Sequence, residues 1–176
     1  MSDFRTLIEH NVLCLEQGIN LLQSLSDTEY TAINPPVYES AIGDHYRHTL
    51  EHYISFVEAY ATGAIDYDAR KRDRRIATDR MYAAIVTETL ISQMRALTED
   101  RSLRVKVDSS GEEGSQPIWS ASSGARDLQY LQAHTIHHFA LIALMVRLQG
   151  GTVPDEFGVA PSTIAYRRQM AVAPAS

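Results

Sequence analysis

Apolar side chains recur at alternating spacings of three and four along much of this chain, and that pattern constrains its fold more than any other feature. Over residues 3–25 one stripe is Ile8, Asn11, Leu15, Gly18, Leu22 and Leu25, and a second is Leu7, Cys14 and Leu21. A helix with both stripes has to bury them against other helices. Ser2 and Asp3 can cap its start, and Asn34-Pro35-Pro36 cannot be helical. A second helix is predicted over residues 39–62, with Gly63 as its stop. A third starts near Thr78 or Asp79 and reaches residue 99, with Met81, Ile85, Leu90, Met94 and Leu97 on its apolar side. A fourth begins after Ser122, Ser123 and Gly124, and Gly150-Gly151 ends it.

The intervening segments read differently. Residues 64–77 are polar and mixed in charge, as in a long structured loop. Leu103, Val105 and Val107 alternate with polar residues, which is a strand signal. Residues 108–114 are turn-rich, and Pro117-Ile118-Trp119 supplies a returning strand. The expected fold is therefore all-α: an antiparallel four-helix bundle with a short β-hairpin insertion between helices 3 and 4, at residues 102–120. An irregular C-terminal tail covers residues 151–176, and the whole chain of 176 residues reads as one domain.

Composition narrows the function classes. Net charge is −6, the wrong sign for a broad phosphate-binding surface, so nucleic acid is not an expected partner. The longest apolar run, residues 139–146, is about half a membrane span, and no membrane partner is expected. A single cysteine, Cys14, excludes an intrachain disulfide and a Cys-based zinc cluster. The opening MSDFRTLIEHN has no apolar signal region, and a cytoplasmic setting is expected.

Six of the seven histidines lie in two short windows, His45, His48 and His52 on the second helix and His134, His137 and His138 on the fourth. At about 100° per residue, His48 and His52 are about 40° apart, as are His134 and His138. Leu141 and Met145 continue the face of the second pair, so that pair is expected to point into the core, with His137 on the flank. Imidazoles at i and i+4 can hold one metal ion from adjacent turns, and a third ligand from a facing helix completes a site with open positions. Any of His45, His48 and His52 can supply it, and a fourth His would close the site into a structural one.

The segments SAIGDHYRHTLEH (residues 40–52) and LQAHTIHHFALI (residues 131–142) resemble the DinB-like superfamily. DYDARKRD (residues 66–73) and FGVAPST (residues 157–163) are similar to one uncharacterised branch of it. That resemblance implies a four-helix bundle binding a divalent metal, zinc or nickel, through His48, His134 and His138. His52, His45 and His137 are the additional or alternative ligands. It also implies thiol-dependent transferase or isomerase chemistry, with a low-molecular-weight thiol and an electrophilic small molecule as partners. A zinc-dependent hydrolase and a non-catalytic metal-binding protein are the competing expectations.

Around the histidines, Asp44 and Glu51 are placed to accept the far N–H of a ligating imidazole. Asp127 and Tyr130 share the His134 face and can do the same or meet a substrate. Arg70 and Arg72 offer an anion clamp, or an ion-paired fastening between two helices. Leu7, Leu21 and the tail are candidates for a homodimer contact.

Overall fold

The computed structural model describes residues 3–172 apart from 109, 112, 113 and 115. Seven helices and three strands occur among the described residues, so the chain is mostly helical with a small mixed sheet rather than all-α. The first apolar pattern becomes α1 (Asp3–Ser24), which buries Ile8, Asn11, Leu15, Gly18 and Leu22. The expected Ser2 cap lies outside the described residues. Ser26 then opens a one-turn helix, α2 (Asp27–Thr31), which ends before Asn34-Pro35-Pro36. Its capping box, with Ser26 and Glu29 each bonding the other's backbone N–H, was written in the sequence as S-x-x-E.

The second long helix, α3 (Ile42–Tyr60), is shorter than expected at both ends. Gly63, at φ +75°, turns the chain out of it. Residues 64–77 are not one loop. Ala64–Asp66 form β1, and Arg74–Thr78 form α4, capped by Asp73. Three residues are too few for an alternation to show, and β1 exists because it pairs in parallel with β2 (Ser102–Lys106). The latter also pairs antiparallel with β3 (Trp119–Ser123), so the hairpin gains a third strand, in the order β1-β2-β3. The hairpin connection at residues 108–114 falls partly outside the described residues.

Helix α5 (Arg80–Arg95) turns inward only part of the face expected, Leu90 and Met94 but not Met81 and Ile85. Met81 and Ile85 are 53% and 58% exposed, while Ala83, Ala84, Thr87, Leu90, Ile91 and Met94 are buried. Ala83, Ala84 and Thr87 are small and face inward in the first half of α5, where Met81 and Ile85 stay outside; the large buried side chains are in its second half. The long helix α6 (Gly124–Leu148) is capped by the Ser123 hydroxyl. Leu141 is exposed rather than core, whereas Met145 is buried. The tail is not irregular throughout, since α7 (Pro161–Val172) is helical. Residues 173–176 lie outside the described residues. Leu21, proposed for an outer stripe, is in the core and unavailable for pairing. No described helix is long and apolar enough to cross a membrane.

Helices α1 and α3 each pack against both α5 and α6. Gly43 permits one of the tightest approaches in the fold: a Cβ there would stand 2.0 Å from the carbonyl oxygen of Ala77 on α4. A buried polar hub crosses the core. The Tyr53 hydroxyl donates to Asn11 Oδ1 (2.8 Å) and lies 3.0 Å from Thr135 Oγ1. Asn11 Nδ2 donates to the carbonyls of Leu7 and Leu128. Three helices are thereby held in one register, and every buried member of the hub has a partner. Asn11→Ala is expected to destabilise the chain by about 2–4 kcal/mol, because it removes the three hydrogen bonds of a buried side chain and opens a cavity, and Tyr53→Phe by about 1–2 kcal/mol, because it leaves Asn11 Oδ1 unpaired. Urea unfolding of the full chain measures both.

Candidate metal centre

Spacings of three and four on α3 bring His45, His48 and His52 to one side of that helix, and α6 answers with His134 and His138. The rings interleave across the two helices. Centroids of His48 lie 4.6 Å from His52, 5.0 Å from His134 and 4.7 Å from His138. His134 lies 4.4 Å from His52 and 4.6 Å from His138. The cluster sits beside the core: Thr135 and Phe139 take the fully buried face of α6, and His134 and His138 are half-buried at its edge. His137 is exposed and touches only the flank of the cluster, 5.1 Å from His138.

Three imidazoles, His48, His52 and His134, have nitrogens all within 4.8 Å of one another, close enough to bind one metal ion. His134 Nε2 is buried and has no hydrogen-bond partner among the described residues, which leaves it open to a metal ion. The other nitrogens are not equally available. His52 Nδ1–H donates to the carbonyl of His48 (2.7 Å), which leaves Nε2 as its acceptor. That Nε2 faces the Arg70 guanidinium at 3.2 Å. His138 Nδ1 is paired with His45 Nδ1 at 2.9 Å, so one of the two rings donates to the other, and His138 Nε2 is not part of that pairing.

Burial, reinforced by the neighbouring imidazoles and by Arg70, holds the cluster neutral. His48 and His134 are pulled down to about 4, and His52 and His138 to about 3. Burial also lowers His45. A neutral imidazole keeps the lone pair that a metal needs.

The acids expected to orient the imidazoles do something else. Asp44 accepts the Ala41 N–H (3.0 Å) and so caps α3. Glu51 is buried, at 3% exposure, between two guanidinium groups: Arg47 at 3.3 Å and Arg70 at 3.8 Å. A buried carboxylate is stable only when paired, and the nearest cations outcompeted the imidazoles for it. Asp127 accepts from the Tyr67 hydroxyl (3.0 Å) and from the Ser122 hydroxyl, not from a histidine. Tyr130 does reach the site, stacked on His134 at 5.6 Å and 21°.

Arg70 folds inward rather than forming an open clamp. Its side chain is 15% exposed and donates to the Tyr67 carbonyl as well as facing His52. Arg72, exposed and at φ +53°, lies instead with Arg47 and Arg74 around a separate hollow at the start of α3. Tyr67 was not anticipated, although it is fully buried and stacks on His52 at 5.3 Å and 27°. One aromatic between Asp66 and Asp68 carries no periodicity, so only the fold reveals it. Cys14 is buried with its thiol pushed up to about 12, which makes it inert.

No known family's sequence profile matches the chain. Over 105 residues it is 30% identical to the FK506-binding protein 5 of Rhizopus delemar, a match covering 58% of this chain. The chain spans 27% of that protein's length. No solved structure matches it.

The lowered imidazoles set the pH dependence of the metal-free protein. The unfolded chain takes up protons near the ordinary histidine value of about 6.5, whereas the folded cluster does so only near 3 to 4. The unfolded state therefore binds more protons within that window, and stability falls as pH drops from about 6.5 towards 4. Urea midpoints of chelator-treated protein should show that decline. Imidazole proton resonances should show the cluster still neutral at about pH 5.5.

Proposed function

We propose that this protein is a DinB-like metal-dependent enzyme, built as an antiparallel four-helix bundle, that joins a low-molecular-weight thiol to an electrophilic small molecule. The observation that carries this reading is the convergence of neutral imidazoles from α3 and α6, with His134 Nε2 buried and unpaired. The mutual packing of α1 and α3 on both α5 and α6 supports the bundle.

We assign the ligands to His48, His134 and His138. His52 lies closer in the metal-free geometry, but Arg70 stands 3.2 Å from its only acceptor nitrogen. A metal on that nitrogen would compete with the guanidinium for the same lone pair and be repelled by its charge. His138 needs only to turn away from another neutral imidazole, His45. Zinc and nickel both suit imidazole donors. A divalent ion bound this way, with an open position, lowers the pKa of a coordinated thiol or water. The chain's own part is to keep the imidazoles neutral, to tie His52 to the backbone, and to wall the site with Tyr67 and Tyr130.

Protein purified without an affinity tag is expected to hold about one equivalent of zinc or nickel. His48→Ala, His134→Ala and His138→Ala should each lose it, and His52→Ala should retain it, measured by elemental analysis. Metal-loaded protein should accelerate conjugation of a small thiol with an aryl halide, and His48→Ala should not. Full metal content without turnover would make the ion structural. Failure to take up either metal would overturn the reading.

A further inference from the structure

Among the described residues two acids are buried, and they are treated differently. Glu51 is matched by two guanidinium groups, Arg47 and Arg70. Asp127 is equally buried, at 3% exposure, yet it makes no salt bridge among the described residues and holds only two hydroxyl donors, from Tyr67 and Ser122. A carboxylate has about four acceptor sites, so about two remain. Burying that charge is costly and raises the Asp127 pKa, against the lowering effect of its two hydroxyl donors and of the neighbouring Arg126.

Asp127 borders a hollow of about 340 Å³ between the sheet and α6. Strand register explains why the hollow exists. Leu103 pairs with Ser122 and Val105 with Ser120, so the β3 residues on the same sheet face as buried Leu103 are two serines. Their small side chains leave unfilled the space that larger ones would occupy. The rings of Tyr67 and Tyr130, with centroids 5.4 Å apart, form one wall. Val105, Val107 and Ile118 supply an apolar wall, and exposed Arg126 stands at the edge.

We infer that this hollow binds a small zwitterion, an α-amino acid or a molecule of the same charge pattern, with its ammonium at Asp127 and its carboxylate at Arg126. The ammonium supplies the cation that Asp127 lacks, and the tyrosine faces add cation–π attraction. Arg126 opposes a bare amine but attracts the carboxylate, bidentately where the fork can reach both oxygens. The side chain of the ligand lies on Val105, Val107 and Ile118. The volume suits a molecule of amino-acid size rather than a peptide chain. Tyr67 and Tyr130 are shared with the imidazole cluster, so an occupant sits one ring layer from His52 and His134.

This inference goes beyond the metal reading and needs no ion, so binding is measured on chelator-treated full-length protein. Its failure leaves the metal reading standing, and the converse holds. The probes are leucine, methionine, phenylalanine and tyrosine, followed by calorimetry and by chemical-shift changes. Phenethylamine and 3-phenylpropionate serve as forms lacking one charge each. At least one amino acid should bind saturably, and phenylalanine should bind more tightly than either single-charge form. Asp127→Asn should weaken the best amino acid about tenfold and leave 3-phenylpropionate unchanged. Arg126→Gln should weaken the amino acid and leave phenethylamine bound as tightly or more tightly. That variant is on the surface and carries the test if Asp127→Asn does not fold. No saturable binding of any of the four, or binding indifferent to the variants that fold, would overturn the inference.

Discussion

The contact between Tyr53 and Thr135 governs the rest of this structure. It joins α3 to α6 at a single register deep in the core, and Asn11 of α1 completes it. The histidines are the immediate sequence neighbours of that contact: His52 precedes Tyr53, and His134 precedes Thr135. Because the hub aligns these two turns, the neighbouring imidazoles meet at 4.4 Å. A slip of one helical turn would strand buried hydroxyls and scatter the imidazoles together. The polar hub in the core and the ring cluster at its edge are therefore one constraint seen at two depths.

Around that alignment the protein places its charges with care. Arg70 leaves its loop to pair with Glu51, to bond the Tyr67 backbone and to face His52. It thereby ties the segment between α3 and α4 onto the helix that carries three of the histidines. The positive guanidinium beside the cluster adds to burial in keeping the rings unprotonated. The short strand β1 begins this same segment and locks it to β2, so the sheet serves as the anchor of a wall rather than as an independent layer. Tyr67 follows that strand directly and lies against His52. Sheet, loop and imidazoles are linked through one aromatic residue.

What could be read in advance depended on local repetition. The stripe Ile8, Asn11, Leu15, Gly18 and Leu22 repeats at helical spacing, and its burial followed. The clustering of histidine at three and four spacing marked α3 and α6 as the sides of a site, and His48 and His134 do meet. Ser26 and Glu29 carry a capping signal for α2, but one turn is too short for any apolar periodicity to mark the helix. By contrast, the expectation that Asp44 and Glu51 would orient imidazoles rested on proximity along one helix. A carboxylate takes the best donor within reach in three dimensions, and for these two that was a backbone N–H and a pair of arginines.

The sequence by itself determined the long helices, the glycine stops after α3 and α6 and the two helices on which imidazoles would gather, because each of these depends on residues within a few positions of one another. The tertiary structure alone decided which nitrogens are free, which acid lacks a cation, and where Tyr67, Arg70 and β1 lie. Those outcomes hang on partners from 18 to 60 residues apart, such as Arg70 with His52, Ala64 with Arg104 and Tyr67 with Asp127. Hydrogen bonds and ion pairs are won by competition among all donors and acceptors brought within a few ångströms. No spacing rule along the chain ranks those competitors before the chain has folded.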